Sequence, residues 1–343
     1  MTKVNRYTYL LTLLGSLVSI LSFGVTALAQ DDGARAYWSA RSGSQMFSFQ
    51  YLPMNIGASD SKEFAPGQYI YPNANIDVNV FFVTWARHMN LFRRPSMLAV
   101  NIVGGSVNAN VNIKAAPEFL PPGITPGTVF SQSSSGFADP NAQLVVNLFG
   151  TPMLNSNVDL LNYEPTITLD AAVMLMFPLG EYKKDKLINM GLNRMIGRVG
   201  FPFKWHFGVF SPGYMSSFEL MPSVWLFAEN SEFVGKKLAN DPLWSLEGHL
   251  THDFAPGLFA SFDMLYQSGF QTSVDGVEVG DKLEIGNLGI TLNYNVSDNV
   301  MIRTEYSSNV FGSDNLETSV GRLQFIYHWS TPDVNFKKLM GGN

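Results

Sequence analysis

The chain has 343 residues, of which 46% are hydrophobic, 13% aromatic and only 15% charged, with 30 Gly, 18 Pro and no Cys. No internal apolar run reaches the roughly 18 residues of a membrane-crossing helix, which excludes a multi-span helical membrane protein, and the charged fraction falls below the roughly 25% of an average water-exposed domain. The net charge of -6 argues against a nucleic-acid partner, and the missing cysteines exclude disulfide frameworks, thiolate metal sites and cysteine nucleophiles.

In chain order, Lys3 and Arg6 come first, ahead of an apolar stretch from Leu10 to Val25. Ala27-Leu28-Ala29 then places small residues at the two positions a signal peptidase reads. Residues 1–29 are therefore expected to be a removed signal peptide. From Met46 onward the hydrophobic period is two. The predicted strands are Phe47 to Ile56, Asn75 to Arg87, Met97 to Val107, Ala142 to Phe149, Thr166 to Phe177, Phe203 to Phe210, Ser217 to Ala228, Trp244 to Phe254 and Leu258 to Tyr266. Three more follow, on which Leu288, Ile290, Leu292 and Tyr294, then Val300, Ile302, Thr304 and Tyr306, then Leu323, Phe325, Tyr327 and Trp329 form the greasy faces.

The connections alternate in length. Leu91 to Arg94, Ser211 to Gly213, Ala255 to Gly257 and Asn295 to Asn299 are tight turns rich in Pro, Gly, Asn and Asp. Gly57 to Ala74, Asn108 to Asn141, Pro178 to Pro202, Glu229 to Leu243 and Ser268 to Ile285 read as long polar loops, with Ser131 to Ser135 a flexible tip. Gly150 to Pro165 is expected to hold a small interfacial helix carrying Val158, Leu160 and Leu161. The fold class that follows is all-β: a transmembrane antiparallel up-and-down β-barrel of about 12 strands over residues 30–329, with short periplasmic turns, long outer loops and a C-terminal tail at 330–343. A soluble sandwich would share the alternation. The loop asymmetry, the low charge and the aromatics at strand ends favour lipid.

Several blocks then resemble successive segments of the "MetA-pathway of phenol degradation" family. They include Gly33-Ala-Arg-Ala-Tyr37-Trp38, Ala74-Asn-Ile-Asp77-Val-Asn79-Val80, Leu91-Phe92-Arg93-Arg94-Pro95, Ser135-Gly136-Phe137-Ala-Asp139-Pro140, Lys186-Leu-Ile-Asn189-Met-Gly191-Leu-Asn193-Arg194 and Asp275-Gly276-Val277. The resemblance runs colinearly along nearly the whole chain after the signal. It implies a signal-bearing outer-membrane barrel for uptake of aromatic or other apolar carbon sources. Unlike barrels that end on an aromatic residue, this chain continues for 14 residues beyond Trp329.

If the greasy face meets lipid, the other face lines a lumen. Parity assigns Asp77, Arg87, Asp170, Glu219, Glu247, His249, Asp263, Arg303, Glu305 and Arg322 to it, together with Met174, Met176 and Trp225. Charges belong inside because Lys or Arg at the bilayer midplane costs about 2 to 4 kcal/mol. The Met and aromatic side chains offer soft contacts to apolar or ring-shaped solutes. His249 and His252 form H-x-x-H, but residues three apart on a strand face opposite sides, so no shared metal is expected. No cofactor motif is present, and no G-x-S-x-G or H-E-x-x-H.

The expected function is an outer-membrane channel, not an enzyme, for passive uptake of small hydrophobic or aromatic compounds, in contact with outer-membrane lipids and lipopolysaccharide. Two alternatives are an outer-membrane lipid or acyl hydrolase, with His249 as base beside Ser245 or Ser261, and a structural or adhesive barrel with a closed lumen.

Overall fold

A computed structural model describes residues 32–58, 75–112, 129–211, 213–279, 282–312 and 316–331. The expected signal peptide and all but the first two residues of the expected tail lie outside them. The strands in chain order are β1 (Ser44–Ala58), β2 (Asn75–Leu91), β3 (Arg94–Asn112), β4 (Val129–Phe137), β5 (Asn141–Phe149), β6 (Ile167–Met176), β7 (Ile196–Gly200), β8 (Phe203–Phe207), β9 (Ser216–Phe227), β10 (Asn230–Phe233), β11 (Lys236–Asn240), β12 (Leu243–Ala255), β13 (Leu258–Gly269), β14 (Thr272–Val274), β15 (Val277–Val279), β16 (Leu283–Asn295), β17 (Val300–Gly312) and β18 (Leu316–Ser330). One short helix, α1 (Asn157–Leu161), lies between β5 and β6.

Antiparallel pairing of β1 with β18, from Ser44 opposite Ser330 onward, closes the sheet into a barrel of twelve staves. Closure satisfies the backbone without an edge, as hydrocarbon requires. Two staves are each made of two strands. β4 and β5 are parted by Ala138-Asp139-Pro140, and β7 and β8 by Phe201-Pro202, because proline brings no N–H to the ladder. The carbonyls still pair: Pro140 accepts from Phe177 N–H and Pro202 from Asp170 N–H, both at 2.9 Å.

Side-chain parity follows the greasy face. Leu288, Ile290, Leu292 and Tyr294 are exposed to the outside, whereas Thr291 and Asn293 between them are buried in the interior. Trp205, Phe254, Tyr294 and Tyr327 are exposed towards the end of the short turns, and Trp244 and Phe311 towards the other, where interfacial aromatics are favoured. Helix α1 is capped by Ser156, which accepts from Asp159 N–H while the Asp159 carboxylate accepts from Ser156 N–H. It leaves Leu160 and Leu161 exposed, as an interfacial helix should.

Three segments read as loops are ordered sheet instead. β3 runs on to Asn112, and β4 returns beside it with Ser131–Ser135 opposite Asn110–Ser106, so the Ser-rich stretch is a ladder and not a tip. Its side chains are small and polar on both faces, which leaves no alternation to detect. Within the expected loops Glu229 to Leu243 and Ser268 to Ile285, residues 230–240 and 272–279 pair as a four-stranded sheet, β10-β11-β14-β15, at the loop end of the barrel. Its second hairpin turns on Asp275-Gly276, both with positive φ, the pair that a type I′ turn requires. The strand expected over Phe203 to Phe210 stops at Phe207, and its stave begins earlier, at Ile196, inside the expected loop Pro178 to Pro202.

Candidate functional site: a plugged lumen

Residues 32–43 precede the first strand and turn inward, filling part of the lumen. The turn is made at Gly33-Ala34-Arg35-Ala36, with Ala36 N–H donating to the Gly33 carbonyl at 3.1 Å. Gly33 has φ +85°, and a Cβ there would stand 2.8 Å from Arg322 Nη1, so both the conformation and the space call for glycine.

One half of the wall grips this plug. Glu247 on β12 accepts from Asp32 N–H and Gly33 N–H at 3.0 Å each, and the Asp32 carboxylate pairs with Arg198 on β7 at 2.7 Å. Glu219 on β9 accepts from Arg35 N–H at 3.0 Å and Trp38 Nε1–H at 2.8 Å. The Arg35 guanidinium pairs with Asp253 at 2.7 Å and lies between the rings of Trp38 and Phe259, 4.1 Å from each centroid. Lys204 on β8 donates to the Tyr37 carbonyl and pairs with Asp170 at 2.5 Å. Matching of this kind offsets the cost of taking charge out of water.

The opposite half of the wall is apolar on its inner face towards the loop end, whereas Ser48, Gln50, Thr84 and Asn101 make that face polar nearer the short turns. Leu52, Met54, Ile56, Ile76, Val78, Val80, Phe82, Val103 and Val107 on β1–β3 form one buried cluster, with Ile188 and Met190 of the 178–195 loop against it. Between this wall and the plug lies a cavity of about 230 Å³, reached by Leu52, Phe82, Met97, Met301, Arg303 and Ile326. A second space of about 30 Å³, scarcely the size of one water, lies beyond Tyr37, Trp38, His88 and Met97, which line both. A solute in the large cavity therefore meets the plug before it can leave at the short-turn end.

The expected lumen residues divide. Asp170, Glu219, Glu247, His249, Asp263, Arg303, Glu305 and Arg322 are buried on the inner face. They form linked groups: His249 sits between Glu247 at 2.7 Å and Asp263 at 2.6 Å, and Arg322 pairs with Glu305 at 2.7 Å. Met174, Met176 and Trp225 also point inward, but they pack with Leu192, Ile196, Leu243 and Phe270 and do not border the large cavity.

Asp77 and Arg87 are on the other face. On β2 it is Ile76, Val78, Val80, Phe82, Thr84 and Ala86 that turn inward, leaving Asp77 to accept from Asn55 Nδ2 at 2.8 Å on the outside. Both faces of this strand are apolar, so its charges were the only guide to parity, and they mislead because each sits near a strand end, where charge costs about 0 to 1 kcal/mol. Sequence reasoning also missed the plug side chains Asp32, Arg35, Tyr37 and Trp38. They carry no period, and the block Gly33–Trp38 stood out only through the resemblance.

The hydrolase arrangement is not assembled. Both ring nitrogens of His249 face carboxylates, and Ser261 Oγ donates to Asp263 at 2.5 Å, so neither Ser261 nor Ser245 is bonded to the expected base. Among the described residues no group of acidic and histidine side chains is placed to hold a metal ion.

Outside the membrane-spanning strands, burial pulls the Arg194 guanidinium, under the outer sheet, down to about 10, partly opposed by Asp139. The Asp275 carboxyl is held below its ordinary range by the hydrogen bond from Lys236 and then that from Lys237 N–H.

A family model described as "Putative MetA-pathway of phenol degradation" matches residues 59–322. Among solved structures, the COG4313 outer membrane channel from Pseudomonas putida F1 is 13% identical with a TM-score of 0.66, covering 87% of this chain and 100% of that one. The transport unit of the autotransporter AIDA-I from Escherichia coli is 11% identical at TM-score 0.49, covering 92% and 98%. A Pseudomonas aeruginosa FadL homologue is 10% identical at TM-score 0.40, covering 83% and 90%. The first shares the fold of this chain, and the other two superpose too loosely to carry an argument. No curated protein matches the chain.

Proposed function

Because the chain belongs to the MetA-pathway of phenol degradation family, we propose that it is an outer-membrane channel for passive uptake of small hydrophobic or aromatic compounds. The observation that carries this reading is the division of the lumen, with a charged half that holds a plug and a β1–β3 side, apolar towards the loop end, that leaves a cavity beside it. Leu52 and Phe82 of that cluster border the cavity, where an apolar solute gains about 25 cal/mol per Å² of surface it buries. The loop end then faces the exterior and the short turns the periplasm, as in barrels of this kind. A solute entering from outside slides along the apolar wall to the cavity and passes when the plug yields.

Reconstitution into asymmetric bilayers with a lipopolysaccharide outer leaflet tests this, with influx of phenolic compounds measured against sugars and ions. Selective phenolic influx supports it, and equal influx of all solutes would point to a general pore. The extent of the plug favours one second reading, a structural barrel with a closed lumen, for which no solute should enter even after residues 32–40 are deleted.

A further inference from the structure

Within the cavity one cation stands apart. Arg303 on β17 is 8% exposed and borders the cavity, yet among the described residues no carboxylate pairs with it and its Nε–H has no acceptor. Its guanidinium carbon lies 5.6 Å from the centre of the Phe259 ring. The neighbouring cations are engaged: Arg35 with Asp253 and Arg322 with Glu305, each at 2.7 Å. The nearby acids are engaged elsewhere, Glu305 by Arg322 and Glu219 by Arg35 N–H, Trp38 Nε1–H and the Ser217 hydroxyl. A buried guanidinium with an unmade hydrogen bond at Nε is costly, and its planar group matches a carboxylate.

Around the guanidinium fork the cavity is lined by apolar and uncharged polar side chains in similar measure, Gln50, Thr84, Asn101, Gln143 and Gln324 among the latter. Met301, Ile326, Leu52, Phe82 and Met46 reach it from β17, β18, β1 and β2. Its volume of about 230 Å³ is below the roughly 300 to 1,000 Å³ of sites for drug-sized ligands, which limits an occupant to one ring or a short chain.

We infer that this cavity is a binding site for a small apolar monocarboxylate, its carboxylate on Arg303 and its hydrocarbon or aromatic body on the β1–β2 and β17–β18 wall. The inference rests on the channel reading and sharpens it: the cargo is an amphipathic acid, and the site is a way-station above the plug. A neutral phenol would leave the guanidinium unanswered, and a small hydrophilic anion would leave the wall unused.

Calorimetric titration of the purified protein in detergent micelles tests this with benzoate, benzamide, acetate and inorganic phosphate. Benzoate is expected to bind at least about tenfold more tightly than the other three, and Arg303→Gln to remove that advantage while leaving benzamide unchanged. Arg303→Lys keeps the charge and loses the fork. It should weaken benzoate without affecting benzamide, and it supplies the same comparison if the Gln variant does not fold. Equal binding of benzoate and benzamide, or benzoate affinity untouched by either variant, overturns the inference. Acetate or phosphate binding as tightly as benzoate overturns it too, leaving a plain anion site. Influx measured on the same preparation separates the two readings. Phenolic influx without an Arg303-dependent benzoate site leaves the channel standing and removes the inference, whereas Arg303-dependent benzoate binding without influx of any solute removes the channel and leaves the site.

Discussion

Arg35→Ala is the sharpest perturbation of the plug. It removes the ion pair to Asp253 at 2.7 Å, the hydrogen bond from Nε to Thr251 Oγ1 at 3.0 Å and both ring contacts at 4.1 Å. Breaking a buried pair from one side costs about 3 to 5 kcal/mol, because the remaining charge stays buried. The stranded Asp253 is dehydrated only while the plug is docked, so this penalty falls on the docked state alone. The two cation–π contacts would add about 0.5 to 2 kcal/mol each. Taking about 4 kcal/mol in all, the ratio of undocked to docked plug rises about a thousandfold. Single-channel recording in planar bilayers reads this directly. Arg35→Ala should open often, Arg35→Lys rarely, and a variant lacking residues 32–40 should stay open. If the deletion variant conducts no better than the parent protein, something other than the plug closes the lumen and the reasoning fails.

Three further outcomes follow from the same geometry. Single cysteines at Leu292 and Thr291 should divide by reagent, the first reacting with a lipid-dissolved maleimide and the second with a small water-soluble one, faster after deletion of the plug; the reverse pattern would invert the barrel. Phe82→Asn places an amide on the apolar wall and should lower phenolic influx roughly tenfold with sugar influx unchanged, checked in the asymmetric bilayers beside a gel-shift assay of folding. In the outer sheet, the folded-state pKa of Asp275 is depressed, so its contribution is present above the ordinary carboxylate value of about 4 and is lost as pH falls through the lowered one. Amide hydrogen exchange in Lys236–Asn240 and Thr272–Val274 should therefore quicken on acidification, and Asp275→Asn should abolish that pH dependence.

How much of this was readable from the letters depends on whether a strand has two different faces. From Ser216 to the end of the barrel the wall alternates cleanly, and Glu219, Glu247, Asp263, Arg303 and Arg322 take the inner face that parity gives them. On β2 the inner face carries Val78, Val80 and Phe82 and the outer face Phe81 and Val83, so periodicity is silent there and Asp77 and Arg87 were misplaced. β4 fails for the opposite reason, being polar on both sides. The plug is invisible to any period because its conformation is set by tertiary bonds to five different strands, and local propensity says nothing about those. Lys204 lies on a short stave segment of five residues, too few for parity to assign a face, and Arg198 lies within the expected loop Pro178 to Pro202.

The stretches where alternation fails share a physical cause with the proposed route. A barrel strand needs an apolar outer face, and a polar inner face is what water in the lumen favours. Where the inner face of β1–β3 turns apolar, stability is being given up unless something covers it. At the loop end the cover is Ile188 and Met190. Deeper, at Leu52 and Phe82, the wall borders the cavity. Polar substitutions at Leu52 and Phe82 should therefore cost the folded barrel less than equal changes at Val103 or Val107 while reducing apolar influx more. That is the signature of residues kept apolar for a passing solute, and an equal stability cost at all four positions would mark the wall as ordinary core.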